Sequence, residues 1–486
     1  MLGSFSTRTF VSLAVASVAL GAAPGAAFAG EARVAGKLPT FRALAGEANR
    51  VTVARTGAKT FTIEDLGAPV TPGAGCTAIS TSKARCIAPG TRSVIPGPIN
   101  LGDGDDAATT RGDRVPVLLD GGVGNDRISA GSGSEPVLAG GPGDDILTGG
   151  DGNDVIFGEA GYDQGPAGND QIDGRGGDDR IEGGLGSDVM VGGAGRDTVS
   201  YLEFGFASGV PLRATPVRVT LDAMANDGAP GENDRVAGDV ENVLGGSGAD
   251  QLVGNEGDNS LQLGFAGVGD PTGGSALGAG GDDRVIGGEG ADTVDGGAGD
   301  DVVGDGDLDG AVSTLSGGPG NDLLHAADAA QEQSNTSELE LAPTADTISC
   351  GAGRDQAYLD TADPRPADCE IFTIRTPTLA TTRGTEGKDV IVGAEGEGGA
   401  DRIIALAGND RASGLDGNDR LDGGRGRDTL SGGHGNDVIR ARDGERDRIS
   451  CGRGRDVVSA DRSDRVSGDC ERVSLPAGMS RNGWNG

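Results

Sequence analysis

From Gly396 the chain reads GEGGADRII, ALAGNDRAS, GLDGNDRLD, GGRGRDTLS and GGHGNDVIR, ending at Arg440, and GTEGKDVIV stands just upstream from Gly384. These segments share one nine-residue frame, G-G-x-G-x-D-x-U-x, in which U is aliphatic. A fixed period of this kind signals a stacked repeat rather than an ordinary globular core. Each place in the frame has a physical reason. The glycines permit the positive φ of a tight turn, and the sixth-place Asp projects a carboxylate from that turn. The last three residues suit a short strand that points U inward and its neighbours outward. Two nonapeptides complete one coil, so like turns should stack every second repeat.

The same frame recurs upstream. A first array holds GGVGNDRIS from Gly121, GGPGDDILT from Gly140 and GGDGNDVIF from Gly149, then GPAGNDQID, GRGGDDRIE, GGLGSDVMV and GGAGRDTVS, which ends at Ser200. A second holds GGSGADQLV from Gly245, GAGGDDRVI, GGEGADTVD and GGAGDDVVG from Gly278, and GGPGNDLLH from Gly317. Stacking would align Asp126 with Asp145, Asp154 with Asp170 across the shortened unit GEAGYDQ, and Asp410 with Asp428. Rows of carboxylates at strand spacing repel one another unless a cation lies between them. Oxygen-only ligands, carboxylate plus backbone carbonyl, suit Ca²⁺ rather than a softer metal. The expected ligands are Asp126, Asp145, Asp154, Asp170, Asp179, Asp188 and Asp197 in the first array; Asp250, Asp283, Asp292, Asp301 and Asp322 in the second; and Asp389, Asp401, Asp410, Asp419, Asp428 and Asp437 in the third.

Composition fits such a scaffold. Of 486 residues 93 are Gly and only 3% are aromatic, too few rings for several large packed cores. A net charge of -35 would otherwise suggest disorder, but the Gly and Asp are periodic. The same charge disfavours nucleic acid and anionic membrane surfaces and favours cations. One buried aliphatic per repeat contributes only about 2 kcal/mol, whereas ordering nine residues costs roughly 1.5 kcal/mol for each. Ion coordination has to supply much of the difference.

The nonapeptide resembles the RTX, or hemolysin-type calcium-binding, repeat, over roughly residues 102–200, 245–325 and 384–450. The resemblance implies multiple Ca²⁺ ions, each between the Asp and turn carbonyls of one repeat and those of the repeat two further on. Many members of that family lack Cys and leave the cell by a C-terminal signal. This chain has six Cys and an N-terminus that reads as an export signal: Arg8, an apolar stretch from Phe10 to Ala23, and Ala27-Phe28-Ala29 as the cleavage site. No other apolar run is long enough for a membrane span.

Cysteine placement agrees with an oxidising compartment. Cys350 opens CGAGRDQAYLDTADPRPADCE and Cys451 opens CGRGRDVVSADRSDRVSGDCE, so Cys369 and Cys470 fall at the same spacing. Cys76 and Cys86 form a third local pair. Disulfides Cys76–Cys86, Cys350–Cys369 and Cys451–Cys470 are expected, since no C-x-x-C or nearby His marks a zinc site.

The expected fold is all-β: tandem parallel β-roll (β-solenoid) arrays with a small β-rich N-terminal cap and inserted loops. Its segments are a signal peptide (1–29), a cap (30–100), the first array (101–200), an inserted strand and loop (201–244), the second array (245–325), a loop with the first Cys module (326–372), a linker (373–383), the third array (384–450), the second Cys module (451–473) and a tail (474–486). Two further carboxylate groups stand outside the frame. Asp305, Asp307 and Asp309 open an EF-hand-like run whose twelfth place is Ser316, and Asp227, Glu232 and Asp234 sit in the inserted loop.

The only histidines, His325 and His434, occupy variable places in repeats, and no H-E-x-x-H, G-x-S-x-G or P-loop motif occurs. No catalytic residue is assigned. The expectation is a secreted, calcium-dependent structural, surface or adhesive protein without catalysis. Its partners would be calcium and envelope or extracellular polysaccharide or other surface proteins, with no nucleic acid. The alternative is an RTX-bearing extracellular enzyme of polysaccharide or lipid metabolism, which would need a catalytic domain beyond the repeats.

Overall fold

The computed structural model describes residues 30–35, 38–57, 59–87, 98–111, 115, 117–132, 136–159, 167–202, 215–264, 273–306, 311–326, 345–359, 362–364, 366, 368–369, 371–374, 381–384, 387–392 and 400–476. The export signal, most of the loop at 326–345, Asp307, Asp309 and the end of the tail lie outside the described residues. The chain divides into two compact units, Met1–Gly248 and Ala249–Gly486, each described here by itself.

The first unit begins with antiparallel pairing. Strands β1 (Gly30–Ala35) and β2 (Leu38–Arg42) form a hairpin with Ala32 opposite Phe41. Strands β3 (Arg50–Arg55) and β4 (Thr60–Asp65) form a second. That second hairpin extends through β5 (Cys76–Ser80) and β6 (Lys83–Ile87), which pair with each other, β6 also pairing with β4. The hairpins then hand over to parallel pairing. Phe41 of β2 sits opposite Ile99 of β7 (Pro98–Asn100), and Val51 of β3 opposite Ala108 of β8 (Ala107–Arg111). The cap thus covers the open end of both ladders of the first roll, with Phe41 and Val51 buried beneath it. A solenoid end needs such a cover.

Beyond the cap, most repeats of the first roll contribute a three-residue strand from the last three places, after the turn. One ladder runs through Leu118–Asp120, Val137–Ala139, Val155–Phe157, Arg180–Glu182, Thr198–Ser200 and Asn242–Leu244. The other runs through Arg127–Ser129, Ile146–Thr148, Gln171–Asp173, Val189–Val191 and Arg235–Val236. The U side chains stack in register, Ile128 on Leu147 on Ile172 on Met190, and each is at most 2% exposed. The inserted segment is therefore a lengthened coil: Val236 and Val243 take U places in the two ladders.

The second unit follows the same plan. Gln251–Val253, Ser275–Gly280, Thr293–Ala298, Thr314–Gly320 and Thr347–Gly353 form one parallel ladder. The opposite ladder starts at Ser260–Gln262 and proceeds through Gln356–Leu359 and Ile371–Ile374 to Asp389–Val392 and onward to Arg465–Val466. A third ladder runs from Thr381–Arg383 to Arg472–Ser474. One expectation needs correction here. Of the residues read as linker, 373–374 end the strand Ile371–Ile374, which pairs on both sides and carries the second array into the third, and Thr381–Arg383 is a strand of its own. The Cys modules continue the ladders, since CGAGRDQAY and CGRGRDVVS are repeats with Cys in the first Gly place.

Candidate metal centre

The sixth-place aspartates form rows inside the turns. Each backbone N–H donates to the Oδ1 of the Asp one coil later: Asp126 to Asp145 at 2.6 Å, Asp145 to Asp170 at 2.8 Å, Asp170 to Asp188 at 2.8 Å and Asp188 to Asp234 at 2.9 Å. The companion row links Asp154 to Asp179 at 2.7 Å and Asp179 to Asp197 at 2.9 Å. In the second unit Asp283 donates to Asp301, and Asp301 to Asp322. Further rows are Asp389–Asp410–Asp428 and Asp401–Asp419–Asp437. Asp292 accepts from Gly274 N–H, and Asp250 is buried at the start of its ladder. Six of these twelve steps span 18 residues, as two nonapeptides per coil require, and the rest are longer.

The expected alignment of Asp154 with Asp170 is wrong. Asp154 meets Asp179 and Asp145 meets Asp170, both 25 residues apart. Each of these steps is seven residues longer than the usual 18, so a count along the chain mispairs the rows.

Burial gives the rows their chemistry. Every expected ligand is at most 2% exposed. In Asp126, Asp145, Asp170, Asp179, Asp197, Asp283, Asp301, Asp322, Asp410, Asp419, Asp428 and Asp437 the second carboxylate oxygen is buried with no hydrogen-bond partner. That oxygen lies against the first glycine of its own repeat, except that Asp170 faces Gly158 and the repeat of Asp410 opens with Ala405. A Cβ on Gly121 would come 2.2 Å from Asp126 Oδ2 and 2.6 Å from the Gly140 carbonyl oxygen. On Gly414 it would come 2.2 Å from Asp419 Oδ2 and 2.7 Å from the Gly432 carbonyl. The glycine turns thus bring a carboxylate oxygen and a carbonyl oxygen of the next coil to one place that has no side chain. Such oxygens are costly to bury alone.

Protonation reports the same strain. Burial first, then the flanking Asp170 and Asp126 carboxylates, push Asp145 up to about 8 against the opposing Asp126 N–H. Burial and row neighbours likewise push Asp126, Asp179, Asp283 and Asp410 up to about 7. A cation would remove this penalty, and the all-oxygen donor set fits Ca²⁺. The ligands would be the row carboxylates and the turn carbonyls. Among the described residues no three carboxylate, Cys or His side chains cluster closely enough to enclose a metal by themselves, so carbonyls are essential to any site here.

Several row members escape the strict frame. Asn49 N–H donates to Asp106, and Asp106 N–H to Asp126, which starts the first row in the cap. Asn259 takes an Asp place, and Ser313 bridges Asp292 to Asp346. Asp322 donates to Asp355, Asp428 to Asp447 and Asp437 to Asp456, so the rows continue through the Cys coils. The signal was present in the sequence as G-x-G-x-D behind a first-place Cys.

Two of the rows end in a common way. Glu241 accepts from Asp197 N–H and Glu471 from Asp456 N–H, each in place of a further Asp. Two residues before each Glu, Asp239 accepts from Gly193 N–H and Asp469 from Gly452 N–H. In the first array the closing coil joins Gly192 and Val240 places; in the last, Cys451 and Cys470 occupy them and are bonded. Cys76–Cys86 and Cys350–Cys369 are bonded as well.

The inserted-loop carboxylates are already used. Asp227 accepts from Thr220 and Val236 N–H, Asp234 from Asp188 N–H and the Tyr201 hydroxyl, and Glu232 from Ala229 N–H. Of the EF-hand-like run only Asp305 is described, and it is buried.

Parallel coils of glycine turns strung on buried carboxylates define a calcium-binding β-roll. The family model of the RTX calcium-binding nonapeptide repeat matches residues 118–134, 137–164, 165–199, 233–265, 277–303, 313–329 and, in overlapping segments, 383–458. The chain is therefore an RTX-repeat, calcium-binding protein. No curated protein matches it closely enough to be named as a relative.

Proposed function

We propose that this is a secreted protein whose calcium-set rolls serve a structural, surface or adhesive role without catalysis. The observation that carries the reading is the row of buried, unsatisfied Asp oxygens running through successive coils, since it makes the repeats themselves the functional element. The bonded cysteines at coil-closing places suit an oxidising exterior. Among the described residues no helix is long and apolar enough to cross a membrane.

The test uses the full chain with whole-cell envelopes in millimolar Ca²⁺ and in excess chelator, alongside a panel of glycoside, ester and peptide substrates. Retention only with Ca²⁺ and a silent panel are expected. Retention that ignores chelator would overturn the adhesive role, and turnover would overturn the non-catalytic one.

A further inference from the structure

The ladder register sorts charge in an unexpected way near the C-terminus. Residues 400–476 contain fourteen Arg, and every one of them is exposed. The same stretch contains fifteen Asp and Glu, of which eight are buried row carboxylates. Negative charge is thus folded inward, where a bound cation would neutralise it, while positive charge stays outside. This happens in a chain whose net charge is -35.

Part of that positive charge is ordered. In the ladder through Arg411–Ser413, Thr429–His434, Arg448–Arg453 and Arg465–Val466, the register places Arg411 beside Thr429, Thr429 beside Arg448, and Arg448 beside Arg465. Two residues along, Ser413 lies beside Ser431 and Ser431 beside Ser450. Alternation puts both files on the outward face, since Ala412, Leu430 and Ile449 between them are buried. None of these three guanidinium groups meets a carboxylate among the described residues. Asp469 accepts the Ser450 hydroxyl at the edge of this face. The other face differs: there Asp422 stands beside Arg440, 4.0 Å from its guanidinium.

We propose that this Arg–Ser face docks a linear acidic polysaccharide, with the guanidinium forks of Arg411, Arg448 and Arg465 on its carboxylates and the serine file on its hydroxyls. The proposal deepens the adhesive reading above and rests on it. Guanidinium matches carboxylate geometry in paired hydrogen bonds. Coils recur at strand spacing, about 4.8 Å, so the face is a flat, regular array suited to a repeating chain. Charge complementarity alone would also admit nucleic acid. However, residues 400–476 contain no Phe, Tyr or Trp on which bases could stack. The acidic remainder of the chain also repels a polyanion as dense as duplex DNA.

The test is binding of the full chain to oligogalacturonate, a polyuronate too short to gel, in millimolar Ca²⁺. Dextran serves as a neutral control and duplex DNA as a dense polyanion. The R411Q/R448Q/R465Q variant, checked by circular dichroism for unchanged calcium-dependent β structure, should bind oligogalacturonate roughly tenfold or more weakly, as expected for three exposed charged contacts. Wild-type binding should weaken with added salt. Equal binding by the variant would overturn the proposal and point to calcium bridging between acidic chains. Tighter binding to DNA than to oligogalacturonate would also overturn it. Binding to dextran alone would refute the Arg face while leaving calcium-dependent adhesion standing, whereas loss of envelope retention in the earlier test would strike the adhesive reading itself.

Discussion

Removing calcium should unfold the rolls, and the C-terminal rows show why. Asp401, Asp419 and Asp437 lie in one file and Asp410 and Asp428 in another, each carboxylate reached by the N–H of its neighbour at 2.8 to 2.9 Å. Successive carboxylates stand about one strand spacing apart. At an effective dielectric of 20, two unit charges at that separation repel by about 3 kcal/mol. The opposing core is thin: it takes about one U side chain per repeat, Ile403, Leu421 and Ile439 in one ladder and Ile391, Ala412 and Leu430 in the other, with the small Ala405 and Ala441 beside them. A fully buried aliphatic contributes about 2 kcal/mol, so each added coil costs more in charge than its core returns. The full chain, followed by far-UV circular dichroism, should lose β signal in excess chelator. It should regain that signal cooperatively at roughly 10⁻⁴–10⁻³ M free Ca²⁺, because neighbouring coils share strands and ions. Mg²⁺, which dehydrates reluctantly, should substitute poorly. Asp419→Ala, in the middle of its row, should raise the calcium midpoint more than Asp389→Ala at the edge of the third array. Equal β signal in chelator and in millimolar Ca²⁺ would refute the reasoning.

The rows also fix the sign of a pH effect. Without metal, the folded Asp145 and Asp410 titrate near 8 and near 7, far above the ordinary carboxylate value of 3.8. The folded chain then binds more protons than the unfolded one, so in chelator β signal should grow as pH falls from about 8 toward 4. A decrease over that window would count against the buried rows. Gly433→Ala should be severely destabilising, by about 3 kcal/mol or more, because its Cβ would lie 1.9 Å from the Leu415 carbonyl oxygen. Gly444→Ala has a similar positive φ but nothing within 4 Å, so it should cost only about 1–2 kcal/mol. Thermal melts in Ca²⁺ would separate the two. Cys451→Gly with Cys470→Val copies the first array's closing coil. It should lower stability by about 3 kcal/mol and speed amide exchange in 457–474, while leaving the preceding coils protected.

The strict repeats were legible because each place in the frame is locally determined. Glycine at the turn, Asp in the sixth place and an aliphatic U are fixed by the turn, the row and the core in every coil. What the sequence concealed was where the frame bends without breaking. Cys350 and Cys451 stand where a glycine is expected, yet Asp355 and Asp456 keep the sixth place and join the rows. Arg175, Ala279, Leu406 and Leu415 occupy second places at positive φ, so glycine there is preferred but not required. The Asp154 misalignment had a different origin. Counting along the chain treats every residue as part of the pitch, whereas stacking registers only those that take a strand or row position. A longer connection between two coils costs little, since loop closure entropy grows slowly with length.

A second file of polar side chains explains why the coils stay in register outside the metal rows. The fifth-place residues are exposed, and they repeat the same bond: Asp144 N–H to Asn125, Asn169 N–H to Asp144, Arg427 N–H to Asn409, and Asn436 N–H to Asn418, at 2.8 to 3.0 Å. Asn and Asp interchange here because either offers an oxygen to the N–H above. In the sixth place only Asn259 replaces Asp within a complete repeat, and the others retain a full carboxylate. If the inner row served only to hold backbone N–H groups, Asn would serve equally well there, and buried amides would avoid the charge penalty. Retaining the more costly carboxylate at the buried place, while tolerating amides at the exposed one, is what a cation-binding row requires.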